Sequence, residues 1–190
     1  MDTNALLITV IAAVAIIALV AWLILRDRRR THLRQRFGPE YERTVINEGD
    51  RERAERELLR REKRAKSFDI RPLSQGERSH FAEGWRRIQA NFVDSPALSL
   101  DEAEQLVTRL METRGYPMAN FEQMAADISV DHPRVVENFR AAREISVRTH
   151  SGVVSTEAQR QAMIHYRALF EDLLESSSQQ EVEVHGERSR

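Results

Sequence analysis

The 190-residue sequence predicts an all-α protein: a single N-terminal transmembrane helix, a charged juxtamembrane helix and a compact bundle of about five helices. Three observations carry that expectation. An uncharged apolar run fills residues 5–25, apolar residues further on recur at helical spacing between capping signals, and nowhere does a strand-like alternation compete. The composition bounds the chemistry. With no cysteine, disulfides, thiolate metal sites and cysteine nucleophiles are excluded. Once a span and a polar tail are subtracted, one modest domain remains.

The run "ALLITVIAAVAIIALVAWLIL" is 21 residues without a charge, long enough at ~1.5 Å per residue to cross a hydrocarbon core of ~30 Å. It begins after "MDTN", with no Lys or Arg, so it lacks the positive start of a signal peptide. Its positive charges follow it instead. Arg26, Arg28, Arg29, Arg30, Arg34 and Arg36 form a membrane-surface cluster, which the positive-inside rule places in the cytoplasm. The expected topology is single-pass, N-terminus out, C-terminal domain cytoplasmic, with Trp22 as an interfacial anchor.

Residues 26–73 are read as a basic juxtamembrane segment and helical stalk. Gly38-Pro39 breaks the helix, and Gly49-Asp50 closes a second, short one. In "RERAERELLRREKRAK" the pairs Glu52/Arg56, Glu57/Arg61 and Glu62/Lys66 stand at i,i+4 in the favourable order. Only Ala54, Leu58, Leu59 and Ala65 offer apolar surface, too little for a sustained coiled coil. The net charge of −1 conceals an asymmetry: residues 26–66 hold 15 Lys/Arg against 9 Asp/Glu, and residues 67–190 hold 14 against 20. A basic segment beside an apolar run, followed by an acidic domain, points to anionic lipid rather than nucleic acid.

Residues 74–175 are read as the bundle. Ser74-x-x-Glu77 is a capping-box pattern ahead of the stripe Phe81, Trp85, Ile88, Phe92. Ser99-x-x-Glu102 reads as a second box, before Ala103, Leu106, Val107, Leu110 and Met111; Gly115 ends that helix and Pro117 prevents its continuation. Phe121, Met124, Ala125 and Ile128 form a shorter stripe. Asp131 and Pro133 read as the N-cap and early proline of a helix carrying Val135, Val136, Phe139, Ala142 and Ile145. The last helix opens at Ser155 or Thr156, with Ala158, Ala162, Tyr166, Leu169, Phe170, Leu173 and Leu174 inward. Residues 176–190 have too little apolar content to order themselves and read as a disordered tail.

Most of "RGYPMANFEQMAADISVDHPRVVENF" is thereby punctuation and core. Arg114, Tyr116, Asp127 and His132 are left over as weak ligand-site candidates. Asp131-His132 resembles half of a general-base pair, but neighbours in a helix start point apart and no nucleophile can be assigned. The six histidines show no metal-ligand spacing, and no P-loop, GxGxxG or GxSxG occurs. No catalytic, cofactor or metal residue is therefore nominated, and no cofactor is expected.

The blocks "LRQRFGPEYERTV", "RGYPMANFEQMAADISVDHPRVVENF" and "QAMIHYRALFEDLL", spanning roughly residues 33–175, together resemble a family of small, uncharacterised bacterial proteins described as membrane or secreted. The resemblance implies an anchored helical domain of a bacterial inner membrane and carries over no site residue. Three functions are open at this point: a membrane-anchored interaction or scaffold module with a lipid bilayer and a protein as partners; a small-ligand or enzymatic domain with its site at the Arg114–His132 corner; and an anionic-lipid surface sensor working through the arginines.

Overall fold

The computed structural model describes the backbone of residues 3–152 and 154–188, and the side chains of residues 11–152 and 154–176. Among the described residues there are eight helices and no strand, so the all-α expectation holds. The chain divides into two compact units, Met1–Leu59 and Arg60–Arg190.

Unit 1 contains α1 (Thr3–Phe37), α2 (Pro39–Glu48) and the first part of α3 (Arg51–Ala65), within which the division falls. The breaks lie where the sequence placed them. Gly38 turns the chain at φ 50° and Pro39 starts α2; Gly49, at φ 65°, closes it in the left-handed conformation that glycine adopts most readily. Among the described residues of this unit, the buried apolar side chains are Leu33, Phe37, Tyr41, Ala54 and Leu58.

The transmembrane helix expected over residues 5–25 requires correction. No helix among the described residues is long and apolar enough to cross a membrane. Helix α1 does not end with the apolar run but continues past Leu25 into Arg26, Asp27 and Arg28. The side chains of residues 5–10 lie outside the described residues. The single-pass topology is an expectation that depends on that crossing.

Unit 2 holds five helices beyond the end of α3: α4 (Gln75–Asn91), α5 (Pro96–Arg114), α6 (Phe121–Asp131), α7 (Val136–His150) and α8 (Thr156–Arg188). α8 packs on α5 and α7, with α4 against α5 and α6 against α7. Side chains beyond Ser176 lie outside the described residues. The capping box at α4 is complete: Glu77 N–H donates to Ser74 Oγ at 3.3 Å, and Ser74 N–H donates to the Glu77 carboxylate at 2.8 Å.

Two expected helix starts move. α5 begins at Pro96, one turn before the supposed box, because proline at the first helical position suits the fixed φ; Ser99 then falls inside the helix and is buried. Asp131 belongs to the end of α6 rather than the start of α7. His132 caps α6, its carbonyl accepts the amides of Val135 and Val136, and α7 starts after that turn.

The core joins all five helices and includes Trp85, stacked on Phe170 with ring centroids 4.9 Å apart and planes at 16°. Leu73, Phe68 and Ile70 pack into the same core, so the chain leading into α4 contributes to the bundle. Gly115 explains how it does so. The Arg71 amide donates to the Arg114 carbonyl at 2.8 Å, which draws residues 69–71 against the end of α5. A Cβ on Gly115 would collide with the Asp69 carbonyl, and its φ of 96° already favours glycine.

Candidate functional site

The turn after α5 and the cap of α6 bring Arg114, Tyr116 and His132 together beneath α8. Each is buried. Arg114 extends from the last turn of α5, its guanidinium 5.9 Å from the centre of the Tyr116 ring. Its Nη1 donates to the Leu173 carbonyl at 2.9 Å and to Ser176 Oγ at 2.8 Å, satisfying acceptors on α8. Tyr116 Oη lies 3.0 Å from His132 Nε2, and His132 Nδ1 meets the Asp172 carboxylate of α8.

Burial, helped by the charges of Asp131 and Asp172, raises the Tyr116 hydroxyl well above the usual phenol range, while Arg114 opposes the shift. Tyr116 therefore remains a proton donor. One arrangement satisfies every group: Tyr116 O–H donates to His132 Nε2, and His132 Nδ1–H donates to Asp172. Burial lowers the pKa of Arg114, against the fields of Tyr116, Asp131 and Asp172.

The sequence pairs His132 with its neighbour Asp131; the structure pairs it with Asp172, 40 positions away. Carboxylate, imidazole and hydroxyl stand in the order of a catalytic relay. The hydroxyl is a phenol 3 % exposed, however, and a substrate has no described path to it. Chemically the arrangement orients α8 against the α5–α6 corner.

Asp127 is elsewhere. Its buried carboxylate receives Arg64 Nε at 3.0 Å and Gln123 Nε2 at 2.9 Å, linking the end of α3 to α6 within unit 2. A second polar node was hidden inside an apolar stripe. Tyr166 is fully buried, donates to Glu104 at 2.9 Å and lies 3.2 Å from Ser146 Oγ, while Glu104 also pairs with Arg143. A buried tyrosine requires a partner for its hydroxyl, and that requirement was the available signal. His165, at the rim of the same helix face, lies 3.0 Å from Asn138 Oδ1.

Grooves occur away from the corner. One, of about 400 Å³, runs between α4 and α5 and is lined by His80, Gly84, Arg87, Ile88, Asn91, Glu102, Gln105, Leu106 and Arg109. Gly84 keeps the two helices close, since a Cβ there would stand 3.3 Å from Leu106. A second, of about 260 Å³ in unit 1, lies between α1 and α3. Neither is lined by Arg114, Tyr116, Asp127 or His132.

The six arginines of α1 differ in their surroundings. Arg30 donates to Glu55 at 3.2 Å; Arg34 donates to Glu42 at 3.2 Å and lies 5.2 Å from the Tyr41 ring centre. Arg36 is engaged within the protein. Arg26 stacks on Trp22 at 5.1 Å, and Arg28 and Arg29 form no ion pair among the described residues. Among the described residues no three metal-ligating side chains converge. Comparisons of the chain with protein-family models, curated proteins and solved structures find no match.

Proposed function

We propose that this protein is a lipid-associated helical interaction module, held to an anionic membrane surface by α1 and engaging a protein partner through the bundle. One observation carries the proposal. Along residues 11–25 of α1, ten large apolar side chains stand open, from 48 % exposed at Val20 to 68 % at Ile17, and they occupy every side of the helix. An apolar surface of that extent normally requires a cover, and a helix apolar all round has no polar face to turn to water. The arginines that follow immediately suit anionic lipid of the kind cytoplasmic leaflets carry. For the partner, the groove between α4 and α5 offers Arg87 and Arg109, which form no ion pair among the described residues, over a floor of Ile88 and Leu106. The Arg114–His132 corner is less suited, because its groups direct their hydrogen bonds to protein atoms.

The test is flotation of the intact chain with vesicles of phosphatidylcholine and phosphatidylglycerol. Wild-type protein should float with them, and Ile16→Glu with Leu19→Glu should leave it at the bottom of the gradient. Flotation unaffected by the double substitution would overturn the lipid assignment of α1.

A further inference from the structure

We propose that the cleft between α1 and α3 binds the anionic phosphodiester headgroup of a phospholipid, with Arg26 and Arg29 as the groups that hold it. The inference rests on the lipid-associated reading above and names the ligand of that surface. The cleft is an open groove of about 260 Å³, and all of its lining belongs to unit 1.

Charge within the cleft favours an anion once internal pairing is accounted for. Glu55 accepts Arg30 Nε at 3.2 Å and the Tyr41 hydroxyl at 2.9 Å, and Glu52 lies 4.0 Å from Arg56. Both acidic side chains of the lining are thus matched by cations of the protein. Arg26 and Arg29 also line the cleft, and among the described residues neither has a carboxylate partner. The Arg26 guanidinium is oriented by its stack on Trp22, which leaves its planar fork available for phosphate oxygens.

The remaining lining is apolar and continuous with the lipid-facing stretch. Leu25 is 56 % exposed and Leu59 41 %, so acyl carbons next to a headgroup would meet leucine rather than charge. A phospholipid matches this combination of two free guanidinium groups and an apolar wall; a free phosphate uses only half of it. Arg28 supplies the internal control. It is unpaired among the described residues, lies on the same helix, and does not line the cleft.

The experiment compares flotation of the intact chain on vesicles of phosphatidylcholine alone and of phosphatidylcholine with phosphatidylglycerol. Arg26→Gln and Arg29→Gln should each reduce the preference for phosphatidylglycerol about tenfold, while Arg28→Gln should reduce it about fivefold or less, as for any cation near an anionic surface. Calorimetric titration should show saturable binding of dihexanoyl phosphatidylglycerol and none of inorganic phosphate at the same concentration. Equal losses for Arg28→Gln and Arg29→Gln would replace the cleft with a diffuse basic surface, and equal binding of inorganic phosphate would overturn lipid as the occupant. If the protein floats on neutral vesicles but its phosphatidylglycerol preference ignores Arg26 and Arg29, only the cleft fails. If it floats on neither vesicle, the lipid-associated reading fails with it.

Discussion

Gly115 is the residue on which the corner turns, for two separable reasons. Its φ of 96° costs an L-residue roughly 1–2 kcal/mol, and a Cβ would in addition strike the Asp69 backbone. Gly152 shares the first constraint, at φ 72°, but has open space around it. Gly115→Ala should therefore lower stability by about 2–5 kcal/mol and Gly152→Ala by only about 1–2, as read by urea denaturation followed by helical circular dichroism. Equal effects would show that residues 69–71 do not press on the end of α5. The sequence indicated that Gly115 ends a helix, because a left-handed C-cap is a local signal. It could not indicate the Asp69 contact, which connects segments 46 positions apart.

At the scale of elements, α4 shows how a local pattern becomes a pH dependence. Hydrogen bonds from Arg71, then from the backbone and side chain of Ser74, hold the Glu77 carboxyl at about 2, well below its ordinary 4.5. A carboxyl whose folded pKa is depressed contributes stability that is present above its unfolded pKa and lost as pH falls toward the folded one. The loss should fall between about pH 4.5 and pH 2. Glu77→Gln should flatten the acid limb of the stability–pH curve in that window, measured by thermal melts at successive pH values; an unchanged limb would rule the capping box out as its source. The box at Ser74 was legible because both halves lie within one turn. The false box at Ser99 has the same spelling, and Pro96 outranked it by fixing the helix start a turn earlier. Likewise Asp131 and Pro133 have the composition of a helix start, yet His132 ends α6 first.

For the whole molecule, residues 60–73 belong to the second compact unit and should contribute to its stability. A fragment of residues 60–190 should be more stable than one of residues 74–190 by roughly 3–6 kcal/mol, because the shorter piece loses buried Leu73, the packing of Phe68 and Ile70, and the Arg64 partner of buried Asp127. Coincident urea midpoints for the two fragments would refute this. By itself the sequence determined the helical class, the glycine breaks and most of the inward stripes, since periodicity and caps act over three or four residues and are written contiguously. Only the tertiary structure decided that His132 answers to Asp172, Asp127 to Arg64, and Tyr166 to Glu104. These partners are 40, 63 and 62 positions apart, and which of many polar groups meets a buried one depends on how the helices pack. The arginines of α1 follow the same rule: sequence placed six together, and the folding of α2 and α3 against them decided which are consumed by carboxylates and which stay free.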